Sequence, residues 1–588
     1  MQKDNQNRGH QYAAKVPVFP FAEIPLPEYP RPGFARDSYL TLNGLWSFER
    51  KKGEELPETY FRKILVPYAV ESPLSGIHEK AEIDDYLFYE REVVLPESFG
   101  KGKVLLHFDG VDQIADVYLD HKLVMTHVGG FTRFTLEIPK DIPSRFLLTV
   151  RVKDVTDSSY HTVGKQRLKP WGCTYSSVSG IYFPVWLESV PEDYVESMKI
   201  TPDLDGKAVD ILLFSSSSGD ASVRIGNETF SVPLNTPTRL PLKEVHPWSI
   251  EDPYLTPVKI TYKEDRVSSY FGMRKIEIAE DREGNKGVYL NHKRIFLTGL
   301  LDQGYYYLGD YTPMDYSDYA KDIQEAKKMG FNCLRKHIKI EEDRYYYEAD
   351  KKGMLILQDF PSGGDRNTLF AVVYPKFFPM FNHYSMVHNP YRFFRRDSEE
   401  GRKEWDRETT EWRKELHNFP SVVLYTIFNE AWGEFDPDLH YIVSKKEDPS
   451  RLVDTCSGWV HPEYRHTDFY SIHAYDMPFL RRSRKNLPPY FLSEIGGYGF
   501  ALLDHSFFGK KVYGHYKVDS KEKLKKRIAK LYKGLLPMAK KHRLVGTIYT
   551  ELSDCEIELN GLLTFDRVEK IEPEFLLGIN AKLKKSQE

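Results

Sequence analysis

After Gly287 the chain changes rhythm, with short apolar runs alternating with segments of helical period, and that alternation calls for a parallel sheet wrapped by helices. Eight strands are predicted, at Ile295 to Gly299, Asn332 to His337, Met354 to Asp359, Val422 to Glu430, Val453 to Trp459, Tyr470 to Tyr475, Tyr490 to Glu494 and Val545 to Leu552. Between them, Asp315 to Met329 sets Tyr319, Ile323, Ala326 and Met329 on one helical face, and Lys521 to Leu536 does the same with Leu524, Ile528, Leu531 and Leu535. Eight such units close into a (β/α)8 barrel, whose ligands bind at the carboxyl ends of the strands.

Upstream, from about Leu42 to Leu187, alternating runs such as Lys103 to Phe108 and Ala115 to Leu119 are broken by Asp109-Gly110 and Gly129-Gly130, the pattern of a β-sandwich. A second β-rich stretch, Val190 to about Ile278, has the length of a small immunoglobulin-like sandwich. The expected organisation is three domains, 1–189, 190–278 and a barrel over 279–588. Pro-rich Val16 to Pro32 reads as an extended strap, and aromatic-rich Asp365 to Asp397 as a wall of the pocket or a packing contact.

Composition narrows the function. With 82 Lys plus Arg against 86 Asp plus Glu the net charge is -4, which gives no broad basic footprint for nucleic acid. Four scattered cysteines have no metal-ligand spacing, the N-terminus lacks the apolar core of a secretion signal, and no run reaches the roughly 20 apolar residues that span a membrane. The expectation is a cytoplasmic protein with no nucleic-acid or membrane partner.

Two strand-like runs end in carboxylates, Ile427-Phe428-Asn429-Glu430 and Leu492-Ser493-Glu494, the latter followed by Gly496-Gly497, where the missing Cβ atoms admit a ligand. Either glutamate alone reads as a salt-bridged strand end. Two of them, closing strands four and seven of one barrel, converge on its mouth, and a pair of carboxyl groups is the equipment of glycoside hydrolysis. Asp302 and Gln303 after strand one and Asp359 ending strand three point by position into the same mouth; Trp459 ends strand five, to stack on a sugar or fill the core.

The longer motif Asn418-Phe419-Pro420-Ser421-Val422-Val423-Leu424-Tyr425-Thr426-Ile427-Phe428-Asn429-Glu430 resembles the acid/base signature of glycoside hydrolase family 2, with Tyr425 and Phe428 at positions that usually differ. Leu42-Asn43-Gly44-Leu45-Trp46, Val66-Pro67-Tyr68 and Gly180 to Leu187 resemble that family's jelly-roll sugar-binding domain. The resemblance implies a multidomain β plus α/β fold of jelly roll, immunoglobulin-like sandwich and TIM barrel. It implies Glu430 as general acid and base, Glu494 as nucleophile, Asn429 on the sugar's 2-hydroxyl, and Tyr475, two residues after His473, orienting Glu494. It also implies Arg335 and His337 beside the nucleophile, and Asp154 or Asp157 reaching over from the first domain. Arg335 has a structural rival, the tying of barrel strands.

The glucuronidase branch of the family holds the sugar carboxylate with an Asn-any-Lys element near the last strand; here the corresponding run is Glu558-Leu559-Asn560-Gly561-Leu562-Leu563-Thr564, without the lysine. A carboxylate buried without a cation binds poorly. The expected activity is therefore a retaining exo-β-glycosidase of terminal neutral sugars, foremost a β-galactosidase, against β-glucuronidase, α-L-arabinopyranosidase or an inactive carbohydrate-binding protein. Lys510 and Lys511 are the alternative source of charge. No cofactor or metal is expected, the partner being a small-molecule or oligosaccharide substrate, and the family resemblance allows a homo-oligomer, dimer or tetramer.

Overall fold

The computed structural model describes residues 24–363, 390–458, 466–476, 488–506, 513–541 and 544–586. Its first β-sandwich packs a six-stranded antiparallel sheet, running from Arg62–Val66 to Lys122–Val128, against a four-stranded one ordered Leu40–Thr41, Val185–Val190, Lys103–Phe108, Phe134–Glu137. The inward residues of both, Trp46, Phe48, Leu106, Phe108 and Val150 among them, form one buried core. Seven strands between Ser197–Asp203 and Asp265–Phe271 build the second sandwich, in sheets of three and four. Ile276–Glu280 then opens a three-stranded sheet whose Ile276, Val288 and Leu290 pack onto the interior of the barrel.

The barrel strands are β1 Leu297–Asp302, β2 Cys333–Lys336, β3 Leu355–Asp359, β4 Val422–Asn429, β5 Leu452–Ser457, β6 Tyr470–Ala474, β7 Tyr490–Gly496 and β8 Leu544–Thr550. They lie in one parallel sheet ordered β5-β4-β3-β2-β1-β8-β7-β6, and β5 meets β6 at the seam. Both faces are covered, so these strands are apolar throughout, as parallel strands are. Predicted and observed strands agree in number and order, with ends displaced by at most three residues. Ser317–Lys328 and Lys521–Lys541 are helices, with Tyr319, Ile323, Leu524, Ile528, Leu531 and Leu535 in the core.

Between Lys153 and Gly180 the first sandwich extends a long loop across the barrel. Gly164 and Val163 donate to the Ser362 carbonyl at 2.8 and 3.0 Å, His161 meets Glu404 at 2.8 Å, Thr162 donates to Glu408, and Tyr175 donates to Glu558 at 2.6 Å. The loop braces itself as well: Tyr175 N–H donates to the Lys165 carbonyl, and Arg167 N–H to that of Tyr175. The strap follows a similar logic over its described part, with Asn43 holding the Pro25 and Leu26 carbonyls and Arg344 that of Tyr29. The aromatic segment lies mostly outside the described residues.

Close docking of the loop depends on Gly164, whose φ is +61° and whose Cβ position would lie 2.8 Å from the Ile338 carbonyl. Gly164→Val is expected to lift the loop and raise proteolytic nicking within residues 154–179 by about tenfold, the effect of roughly 1.4 kcal/mol of local opening. Unchanged nicking in limited proteolysis would contradict this account of the docking.

Candidate active site

Strand parity decides which side chains reach the mouth. On β2, Cys333 faces the barrel interior and Leu334 the helices, so Arg335 points in and Lys336 out. Arg335 is wholly buried and saturated. Its Nε donates to Asp359 Oδ1 at 2.9 Å, Nη1 to the Ser493 carbonyl at 2.9 Å and Glu494 Oε1 at 3.3 Å, and Nη2 to Asn429 Oδ1 at 2.9 Å and Ser457 Oγ at 2.8 Å. The second oxygen of Asp359 lies 2.7 Å from His337 Nδ1. Burial, with Lys165 nearby, pushes His337 down to about 4, leaving it neutral near pH 7.

Glu494 ends the regular part of β7 and receives the Tyr475 hydroxyl on Oε2 at 2.6 Å. Tyr475 is held in turn by a stack on His515, with ring centroids 3.4 Å apart. Burial alone would raise the Glu494 carboxyl; His473, Arg335 and His337 outweigh it, the Tyr475 hydroxyl adds to them, and the group is brought down to about 2. Glu430 is the first residue beyond β4, with φ 49°. Left-handed backbone at a non-glycine residue is the kind of strain that collects at working sites, and the Glu430 N–H is fixed by the Ser457 carbonyl at 2.7 Å. His473 stands between the two acids, Nδ1 3.0 Å from Glu430 Oε1 and Nε2 3.5 Å from Glu494 Oε1.

One donor atom each from Glu430, His473 and Glu494 lie within 4.8 Å of one another. Among the described residues this is the one cluster spaced for a metal ion, and a cation bound there would occupy both carboxylates at once. Asn429 spends its Oδ1 on Arg335 and Ser457, while its buried Nδ2 has no hydrogen-bond partner among the described residues.

The pair thus gathers Asn429, Tyr475, His473, Arg335, His337 and Asp359. Other expected residues sit elsewhere. Asp302 is the last residue of β1 rather than a loop residue, faces outward, and is bonded to Lys336 at 2.8 Å and the Tyr345 hydroxyl at 3.1 Å, so it does not enter the mouth. Gln303 donates to Glu551 at 2.7 Å beyond β8. Asp157 accepts the Leu168 N–H at 3.2 Å and Asp154 binds Thr156 and Ser179, so both organise the loop rather than touch the acids. Gly496 and Gly497 admit the rings of Tyr549 and His515, not a ligand, since those rings fill the Cβ positions. Trp459, Lys510 and Lys511 lie outside the described residues.

The sequence reading missed Lys165 and Arg167 in the crossing loop, Trp432 and Ser457. Lys165 Nζ lies 5.1 Å from the centre of the Trp432 ring and Arg167 5.7 Å from it. Two cations bracketing Gln166 were the available signal, and nothing local ties that segment to a barrel strand more than 250 residues away.

A model of the TIM-barrel domain of glycosyl hydrolases family 2 matches residues 283–491. Residues 283–491 thus carry the barrel domain of glycoside hydrolase family 2. It is 24% identical over 366 residues to a β-glucuronidase of Streptococcus agalactiae, covering 57% of this chain and 59% of that one. It is 24% identical over 360 residues to a β-galactosidase of Thermoanaerobacterium thermosulfurigenes, covering 55% and 48%. The alignments thus span about half to three-fifths of those relatives' lengths. A solved β-glucuronidase from an uncultured Clostridium shares the fold with a TM-score of 0.73 at 18% identity, over 95% of this chain and 99% of that one. No helix among the described residues is long and apolar enough to cross a membrane.

A depressed Glu494 makes stability depend on pH. Its folded value, about 2 against an ordinary 4.5, means that the stabilisation is fully present above about pH 4.5 and is lost as pH falls towards 2. Glu494→Gln removes that term. The fall in Tm between pH 4.5 and 2.5 is expected to be shallower in the variant than in the wild type, and parallel curves would contradict the ion-pair account.

Proposed function

We propose that this family 2 hydrolase is a retaining exo-β-glycosidase in which Glu494 is the nucleophile and Glu430 the general acid and then base. The observation that carries the reading is the asymmetric pair: two carboxylates with oxygens within 4.8 Å of each other, one held by Arg335 and Tyr475, the other bonded to His473. Retaining enzymes hold their carboxyl groups about 5–5.5 Å apart, close enough for direct attack, whereas inverting ones leave room for a water.

In the first step Glu494, kept ionised by Arg335, attacks the anomeric carbon while Glu430 protonates the departing oxygen. In the second Glu430 takes a proton from water, which attacks the same carbon and releases Glu494. Donors on Arg335 and Tyr475 already face the carboxylate when the glycosyl–enzyme bond breaks and its charge returns, so little reorganisation is needed. The free Asn429 Nδ2 is a donor for the sugar's 2-hydroxyl, the contact most sensitive to the oxocarbenium-like transition state. An inactive carbohydrate-binding protein would have no use for an arginine saturated around a strained acid pair.

The expectation of a neutral sugar, and so of a β-galactosidase, rests on the lack of a cation at the site. Lys165 and Arg167 remove that premise, and among similar proteins both β-glucuronidases and β-galactosidases occur.

Glu494→Gln is expected to lower kcat on the preferred aryl β-glycoside on the order of 10⁴-fold or more. A 2-deoxy-2-fluoro glycoside of that sugar should label the wild type at Glu494. Glu430→Gln should cost about 10²–10⁴-fold with poor leaving groups and less with activated ones. Product of inverted configuration by NMR, or labelling of another residue, would refute the assignment.

A further inference from the structure

The other fully buried lysines of the barrel are neutralised. Lys336 lies 2.8 Å from Asp302, Lys339 2.9 Å from Glu341, and Lys570 2.5 Å from Asp554. Lys165 is different. It is 6% exposed, and its Nζ donates to one protein group among the described residues, the Cys173 carbonyl at 3.0 Å, with no carboxylate within ion-pair distance. An ammonium has three N–H donors, and a buried one left short of partners is costly. Its surroundings keep it charged all the same: burial works against the cation, and Cys173 with the carboxylates of Glu558, Glu494 and Glu430 outweighs that.

The position is built rather than incidental. Gln166 turns the opposite way, donating to Asp112 at 2.7 Å and accepting the Val178 N–H at 2.6 Å, which leaves Lys165 and Arg167 on the barrel side of the loop. Trp432, two residues beyond Glu430 in the chain, lies within 6 Å of both cations. Arg167 is 5% exposed, its Nη1 donates to the Gly164 and Gln166 carbonyls, and the nearest carboxylate oxygen, on Asp157, is 3.9 Å from its Nε. Two buried cations thus share this wall of the mouth, and neither has a tight anion of its own.

We infer that Lys165, supported by Arg167, is the specificity-determining residue of this enzyme and receives the carboxylate of a hexuronic acid at the nonreducing end of the substrate. The inference rests on the glycosidase reading above and adds the substrate class to it. A sugar carboxylate completes the coordination of the ammonium, and charge-assisted bonds of this kind are short and strong. The neutral hydroxymethyl of galactose leaves the ammonium unpaired, so discrimination follows from the cost of that vacancy as much as from the bond gained.

The test compares 4-nitrophenyl β-D-glucuronide and β-D-galacturonide with the glucuronide methyl ester and the β-D-galactoside, on wild type, Lys165→Met and Lys165→Arg, after Tm has established that each variant is folded. The wild type is expected to prefer one of the charged uronides over the uncharged substrates. Lys165→Met should lower the ratio of kcat/KM for that uronide to kcat/KM for the galactoside by about 100-fold, and Lys165→Arg should recover part of it. Should Lys165→Met not fold, competitive inhibition of the wild type by free glucuronate and galacturonate, set against galactose, decides the same question: stronger inhibition by a uronate supports the inference and stronger inhibition by galactose overturns it. Equal losses on all four substrates with a displaced pH profile would make Lys165 a counter-charge to the acids and overturn the inference while leaving the glycosidase standing, as would a wild type that prefers the galactoside. No turnover of any aryl β-glycoside by folded wild type would defeat both readings.

Discussion

One guanidinium holds the site together. Arg335 has no contact with solvent and ties its own strand to four others: it starts from β2 and reaches Asp359 of β3, Asn429 of β4, Ser457 of β5, and both Ser493 and Glu494 of β7. Losing one of these partners would be strongly destabilising, because the desolvation cost of the buried ion remains while the compensation goes. The strand ends are thereby locked in register around Glu494. The rivalry between a structural and a functional arginine dissolves, since the same bonds that tie the strands keep Glu494 ionised.

The two acids differ because their backbones do. Glu494 lies within β7, where the pairing with β8 shifts register, and its side chain is delivered into the cationic interior and is only 5% exposed. Glu430 stands one residue outside its strand in left-handed conformation, and its side chain is 12% exposed. A nucleophile is served by fixed positive charge and exclusion of water; a group that must give up and regain a proton in each cycle is served by access to bulk solvent. His473, bonded to Glu430 and close to Glu494, keeps the gap between them from collapsing or widening. Barrel closure brings the strands together, and one residue of offset in where a strand stops gives the two acids different surroundings.

What the sequence disclosed follows from which forces are local. The apolar runs of β1 to β8 and the helix faces of Ser317–Lys328 and Lys521–Lys541 are periodic signals, written within a dozen residues, and barrel closure carries Glu430 and Glu494 into one mouth from that alone. Parity is less forgiving. With β1 taken to end at Gly299, Asp302 was expected in the mouth; the strand runs to Asp302, which faces outward opposite Lys336, because side chains alternate and a small error at a strand end changes the face. Gly496 and Gly497 were expected to admit a ligand, and the rings of Tyr549 and His515 take that space instead, because the sequence marks a place of close approach without naming what approaches. Lys165 had no local signal that tied it to the acids, its meaning arising only when a loop of the first sandwich is laid across β2 and β4.

That division has a physical consequence for how such a chain diverges. The acid pair and its supports, Glu430, Glu494, Arg335 and Tyr475, are all borne by barrel strands or their immediate ends and are linked through Glu494 and His473, so a change in any of them disturbs the rest. The cationic wall is borne by another domain, on a loop whose own bonds, Gln166 to Asp112, Tyr175 to Glu558 and Gly164 to Ser362, touch none of those four. Side chains at 165 and 167 can therefore change without breaking a hydrogen bond of the acid pair, although Glu494 and Glu430 feel the charge at 165. The cationic wall packs on Trp432, just beyond β4, yet wall and acid pair are held by separate hydrogen-bond networks, so under the reading proposed above the wall can vary while the acid pair keeps its bonds.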